Sequence, residues 1–590
     1  MKQKKNSLQT THYKLRTRCV SRGVSLIDTL VGTALMLVIF LGIAGAIQLS
    51  LDVVTNNKAR AGAIALANER MEYIRSLAYA SVGTVGGIPS GTLAQTETTT
   101  MNGITYTRRT FIEYSDDSKD GTGGADTNGI TADYKAAKVS VSWTSRTGER
   151  SVAVVTRIES LNGMEIACTP PCGTLALAVV DSQSQPVSNA QVAIVNSGTG
   201  VNLNTYSDTS GIASFIGSPA GSGYQITVTK AGYSTSQTYS ATSQNTGPNP
   251  AHLTVSNNQT TSYTFGIDTL GQKTVNTYIP ILAATWTDPF ANSSLIATTS
   301  NTTISGGEAR LDGAAPYPEE GTLQSVSIAP TYLALWKQLS WTDAEPSGTS
   351  AVYHVYNSGG TSLIPDSQLP GNSAGFTESP ISLSGVSTST YTGIRLGATL
   401  SSDSTDTSTI TDWNVSYDYG PQPLPNIPFT LRGAKTIGTG PSGTLYKYDV
   451  AQNSGAGASL TIPNLEWDLY SIIINSSTGY NVSSACNPQP ESLAAGASQT
   501  SSIFLLPATT NSMLVDVRSS LTGALLPNAS VRLRRTGYDT TVQTDSCGQA
   551  FFSGLSASNY QVTVTMSGYT TYDNTAVSVS GATTHSVGLN

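Results

Sequence analysis

Five cysteines, one aspartate-rich loop and a few dispersed acids are the side chains in this chain most able to do chemistry. Cys19 lies in a basic N-terminal stretch, which leaves Cys168, Cys172, Cys486 and Cys547 for the body. An even number in an exported chain permits two disulfides. Cys168 and Cys172 (Cys-Thr-Pro-Pro-Cys) could close a small loop at a domain boundary, and Cys486 and Cys547 could tie neighbouring modules together. Four unpaired thiols is the simpler alternative. Zinc is disfavoured because His12, His252, His354 and His585 are scattered away from these cysteines. In Ser115–Gly129, Asp116, Asp117, Asp120, Asp126 and Asn128 put several hard oxygen donors on a Gly-rich loop, which is ligand chemistry suited to calcium. No bidentate Glu closes the loop as in an EF-hand, and solvated Asp/Gly turns are the competing explanation. Asp403, Asp406 and Asp412 read more simply as a polar loop than as a cluster.

No nucleophile–base pair, metal-binding His pair, phosphate loop or paired-carboxylate arrangement stands out, so no enzyme and no cofactor beyond that calcium is expected. A glycosidase in 330–420, where lone acids sit near tryptophans, is the weakest of three function classes.

One further acid is conspicuous by its setting. From Val24 to Leu51 the only charge is Asp28, and Leu30 to Leu49 is long enough to cross a bilayer. A carboxylate in such a segment is costly unless something pairs with it. Seven cations and no acid occupy residues 1–23, so the N-terminus is expected to stay cytoplasmic and the body to be exported. Set aside those seven, and the chain's formal charge of -7 becomes -14 for residues 24–590. An acidic body excludes a basic face for nucleic acid. A cleaved signal ending at Ala44-Gly45-Ala46, an uncleaved anchor, and a leader cut just before the helix all fit these facts.

Arg22-Gly23-Val24-Ser25-Leu26-Ile27-Asp28 resembles the prepilin motif of type IV pilins: basic leader, Gly at the cut, hydrophobic first mature residue, acid at mature position five. The resemblance implies that a prepilin peptidase cuts between Gly23 and Val24, that the new Val24 amine is methylated, and that Asp28 neutralises the terminal amine of a neighbouring pilin-like subunit. Phe is usual where Val24 stands, and Glu where Asp28 stands. Residues 56–79 read as an amphipathic helix with Ile64, Ala67, Met71, Ile74 and Ala78 on one face. A continuous helix over 24–80 would span ~85 Å at ~1.5 Å per residue. Alternating segments at Ile104–Tyr114, Ala137–Thr144 and Ser151–Ile158 supply a small sheet to pack it.

A duplication marks the distal chain. Pro186-Val-Ser-Asn-Ala-Gln-Val192, Ser207-Asp-Thr-Ser-Gly-Ile-Ala-Ser-Phe215 and Tyr224-Gln-Ile-Thr-Val-Thr-Lys-Ala-Gly-Tyr233 recur in order. Their counterparts are Pro527-Asn-Ala-Ser-Val531, Thr544-Asp-Ser-Cys-Gly-Gln-Ala-Phe-Phe552 and Tyr560-Gln-Val-Thr-Val-Thr-Met-Ser-Gly-Tyr569. In each Asp-x-x-Gly the Asp caps the turn and the Gly accepts a positive φ. This order resembles the carboxypeptidase regulatory-like domain, a small β-sandwich that is not itself catalytic, some relatives of which bind starch-like glycans. Tyr206, Tyr233, Tyr239 and Tyr569 could stack on sugars or simply pack. A fainter third copy lies at 424–506.

The expected order is leader 1–23, long helix 24–80, pilin-like sheet 81–165, sandwich 166–269, central jelly-roll or lectin-like sandwich 270–420, divergent sandwich 421–506 and sandwich 507–590. The fold class is therefore an α+β pilin-like N-terminal region followed by several all-β sandwich domains. Trp286, Trp336, Trp341 and Trp413 mark the central one, as core or as a ligand platform. The leading expectation is a minor pilin or pseudopilin of a type IV pilus or type II secretion-like system. It would be single-pass in the cytoplasmic membrane, with an extracytoplasmic body that reaches the pilus or cell surface. The alternative is a membrane-anchored adhesin, outside any filament, that contacts a surface glycan or another cell.

Overall fold

The computed structural model describes residues 26–590 except 118, 122–126, 128–131, 147, 161–170 and 487–488, with side chains from Leu30 onward save that of Ser476. Among the described residues one α-helix, α1 (Leu26–Ser76), leads into a body of β-strands. At ~1.5 Å per residue its 51 residues span roughly 77 Å. No proline interrupts it, and Gly32, Gly42 and Gly45 fall in the apolar half, where nothing packs against them. Leu30, Val38 and Phe40 are about two-thirds exposed. Beyond Asp52 the helix gains a buried stripe: Ala59, Ala63, Ala67, Met71 and Ile74 are each 2% exposed or less. Spacings of four and three keep these residues on one side of the helix.

The stripe lies on an antiparallel sheet of β1 (Thr96–Met101), β2 (Ile104–Ser115), β3 (Tyr134–Ser145) and β4 (Gly148–Ile158). Tyr106, Ile112, Val139, Val141 and Trp143 complete the core under the helix. Small helix residues matter because the layers approach closely. Tyr106 donates its hydroxyl to the Ala59 carbonyl at 3.1 Å, and a Cβ on Gly62 would stand 2.6 Å from that same hydroxyl oxygen. Three of the four strands follow the alternation of the sequence. β1 (Thr-Glu-Thr-Thr-Thr-Met) carries no apolar alternation, and is fixed by its register on β2 through the Asn102-Gly103 turn.

Three sandwiches of one design follow. In each, the first strand pairs in parallel with the last. β5 (Cys172–Val180) pairs with Thr260–Gly266, Gly271–Ile279 with Ser498–Pro507, and Ser512–Ser519 with Ala582–Leu589. The opposing sheets are also equivalent. In the first sandwich that sheet is built around β6 (Gln191–Asn196), β7 (Val201–Tyr206) and β9 (Gly221–Thr229), in the third around Ser530–Arg535, Tyr538–Gln543 and Ser558–Thr565. β8 (Ile212–Pro219) extends the first sandwich onto the pilin-like sheet through one antiparallel pair, Tyr114 with Ile216.

The second sandwich departs from the sequence division. Its first strand, 271–279, falls in the central domain of that division, but it pairs with 422–423, 459–465 and 498–507 and belongs to the sandwich that resumes at 422. The central sandwich is therefore an insertion at 282–419 between the first and second strands of its host. Its pairing partners, 143 to 226 positions away, decide which sandwich it belongs to. The two connections run side by side, Ile279 opposite Gln422 and Leu282 opposite Tyr419. The insert packs two sheets around a core that includes Trp336, Trp341 and Trp413.

Candidate functional site: the helix, its clamp and the module junctions

Gly23 and Val24 lie outside the described residues. Asp28 falls in the first turn of α1, and its side chain also lies outside them. The structure does describe the geometry around the helix. The most apolar 18-residue window of Leu30–Ser76 has a mean hydropathy of 2.5 and is wholly unburied, so the helix is long and apolar enough to cross a membrane.

Its other end is clamped by charge. Arg70, 8% exposed, reaches Glu97 at 3.2 Å and Thr110 at 3.2 Å, while Arg108 meets the same Glu97 oxygen at 3.0 Å. Beyond the helix C-terminus, buried Lys135 donates to the carbonyls of Tyr79 at 2.8 Å and Val82 at 2.7 Å. Those carbonyls belong to the turn that ends the helical segment, a natural seat for a cation. Burial pushes the Lys135 ammonium down to about 8. Neither Arg70 nor Lys135 stands out in the sequence: each is one cation in a polar segment, and its role appears only when helix and sheet meet.

The aspartate loop is partly visible. Asp117 accepts from Arg157 at 3.0 Å, which holds its carboxyl below the usual range, and its backbone N–H donates to Asp133. Arg157 in turn sits 3.8 Å over the Tyr134 ring. Asp126 and Asn128 lie outside the described residues. Among the described residues no three His, Cys, Asp or Glu side chains gather as metal ligands.

Cys486 and Cys547 form a disulfide with Cα atoms 4.4 Å apart, joining the second sandwich to the third. Cys172 is also disulfide-bonded; Cys168 lies outside the described residues. In the insert, Trp336 and Trp413 are fully buried and Trp341 is 7% exposed, so these rings are core. Asp403 accepts from the backbone N–H groups of Thr405 and Asp406, and Asp412 from Asn414, which are turn and strand roles. Tyr233 and Tyr569 pack at the edges of their sandwich cores, and Tyr206 lies under Arg109 at 4.5 Å. Tyr239 is half-buried. The cleft between the first and second sandwiches is lined by Asp181, Asp268, Trp467 and Asp468. Lys435 lies 3.3 Å over the Trp467 ring, and the acids are tied into turns by Gln183, Ser182 and Leu469.

Two segments, 174–268 and 513–590, match the carboxypeptidase regulatory-like domain. They coincide with the first and third sandwiches. No curated protein sequence matches the chain. Among solved structures, the Bacillus anthracis TIE protein is 11% identical, covering 84% of this chain and 72% of that one, with a TM-score of 0.15. BcpA, the major pilin subunit of Bacillus cereus, is 10% identical over 71% of this chain and 99% of its own, with a TM-score of 0.13. The shaft pilin SpaA from Lactobacillus rhamnosus is 13% identical over 29% and 90%, with a TM-score of 0.11. Scores this low carry no argument about architecture or role.

Proposed function

We propose that this chain is a non-catalytic surface-display protein of the type IV pilin-like class, anchored by α1 and carrying its sandwiches outside the membrane. The observation that carries the reading is the division of labour within one unbroken helix. Its first half is apolar and unburied, and its second half buries small residues on a four-stranded sheet. In this reading a prepilin peptidase cuts at Gly23/Val24, Val24 is methylated, and Asp28 pairs with the terminal amine of a neighbouring subunit as the helix leaves the lipid for a filament. The pairing offsets the cost of a carboxylate in hydrocarbon. The inserted and terminal sandwiches project from this base, where they are available to a glycan or cell partner.

Asp28→Ala in the native host tests the filament step. Processing at Val24 should persist while the protein disappears from the sheared filament fraction and stays in the membrane. Equal recovery of both proteins in sheared filaments would refute the role of Asp28. Absence of the unmodified chain from that fraction would favour the membrane-anchored adhesin instead.

A further inference from the structure

The third sandwich is doubled back on the second. Strand Tyr480–Ala485 of the second sandwich runs antiparallel to Ser498–Pro507, with Tyr480 opposite Pro507. It also lies alongside the third sandwich: Asn481 donates to Ser512 Oγ at 3.0 Å and the Ala485 N–H to Gln549 Oε1 at 2.6 Å. Gln549 is itself paired with Asp516. Ser512–Ser519 therefore runs in the direction of 480–485 and opposite to 498–507, so the chain reverses across 508–511.

The two sandwiches meet through polar contacts and do not share a core. Met513, Val515 and Val517 belong to the third core, while on the alternate face Leu514 and Asp516 are covered, 8% and 3% exposed. From the second sandwich, Asn481 and the Ala485 backbone N–H reach across, while the Ala485 side chain belongs to its own core. The two hydrophobic cores are separate. Small polar contacts between modules leave relative motion as the expectation. The reversal also has a defined pivot. Ala508 donates to Gly479 of the second sandwich at 2.8 Å. Thr509 accepts from Gly554 and Asn511 donates to the Leu555 carbonyl, both in the third. The hydrogen bonding changes sides between 508 and 509.

Across this joint lies the Cys486–Cys547 disulfide. Cys547 occupies the third position of the Asp545–Gly548 turn, where the first sandwich has Ser210 in Asp208–Gly211. The turn needs no cysteine, since Asp545 caps it as Asp208 caps its counterpart. Cys486 is exposed and Cys547 is 2% exposed, so the side from which a thiolate can approach is that of Cys486.

We propose that the third sandwich is a hinged arm, pivoting at 508–509 and held folded back by Cys486–Cys547 as a redox-sensitive latch. A dithiol opens it by exchange. The attacking thiolate forms a mixed disulfide with one cysteine and releases the other, and the second thiol then displaces the first cysteine. The dithiol becomes a disulfide, and Cys486 and Cys547 take up two electrons and two protons. An eight-residue strand is about 26 Å long, so swinging the arm from folded back to extended moves its far end by up to ~50 Å.

Fluorophores placed through non-natural amino acids at Ser498 and Leu521 of the full chain in nanodiscs read this motion by single-molecule energy transfer. Both are exposed, and the strand register puts them toward the same end of the latched pair. The oxidised protein should give one narrow, high-transfer population. Dithiothreitol, or Cys486→Ser with Cys547→Ser and no reductant, should shift it to a broad, low-transfer distribution. The double variant leaves the Cys172 disulfide intact, and hydrogen exchange of Ser530–Arg535 and Ser558–Thr565 reports whether the third core stays folded. A narrow high-transfer population in both the reduced and the double-variant proteins, with the core folded, would overturn the latch. So would a broad distribution in the oxidised chain.

Discussion

Substituting Lys273 should open the second sandwich and nothing else. Lys273 is fully buried on the first strand of that sandwich, and its ammonium donates to Glu491 at 2.5 Å and to Gln499, on the last strand, at 2.8 Å. Glu491 also accepts from Ser501 at 2.6 Å and from Gln489. Burial draws the lysine below its usual range while Glu491 opposes the shift. Lys273→Met keeps the aliphatic stem but leaves Glu491, 4% exposed, with neutral donors only. Losing one partner of a buried pair costs about 3–5 kcal/mol, whereas replacing both with apolar residues is often neutral. Hydrogen exchange resolved by peptide is the suitable assay, because a chain of several modules has no single unfolding free energy. Amides in 271–279 and 498–507 should exchange ~10²–10³-fold faster in Lys273→Met, as 3–5 kcal/mol requires at the lower end of that range. Protection in 512–519 and 582–589 should be unchanged, and Lys273→Met with Glu491→Leu should restore most of the loss. Less than tenfold acceleration in the single variant, or a double variant as unstable as the single, would refute this reasoning.

Gly62→Val should lower the stability of the helix–sheet unit by about 1–3 kcal/mol, since the new side chain must displace the Tyr106 hydroxyl; thermal melting of the purified protein checks it. Burial pushes the Glu113 carboxyl up to about 7, so the folded form holds its proton more tightly than the unfolded. That contribution is complete below pH ~4.5 and is lost as pH rises through 7, by at most ~3 kcal/mol. Glu113→Gln should therefore flatten the fall in stability between pH 4.5 and 7, measured as the difference from the unmodified chain. Replacing 281–420 by a short Gly-Ser linker should leave protection in 271–279 and 498–507 intact, because Ile279 and Gln422 already lie opposite each other. Loss of that protection would show that the insert helps to fold its host.

Much of the architecture was legible because it rests on local pattern. The long helix follows from an uninterrupted apolar run, and the first and third sandwiches from two Asp-x-x-Gly turns whose carboxylates bond the residues two and four ahead in both copies. What escaped depends on partners distant in sequence. The strand 271–279 belongs to a host that resumes after the insert, and β1 has no apolar face of its own. Arg70 and Lys135 become a clamp only where the helix meets its sheet. The central tryptophans were open to two readings from sequence, because a buried ring and a binding platform use the same residue. Burial of Trp336, Trp341 and Trp413 decides for the core, and half-buried Trp286 packs against it.

The anchoring account is tested most directly by the N-terminus of the protein taken from its native envelope. Intact mass and N-terminal sequencing should find a chain that begins at Val24 and carries one methyl group on its amine. A chain that begins at Ile47, or one that retains the basic leader, would contradict it.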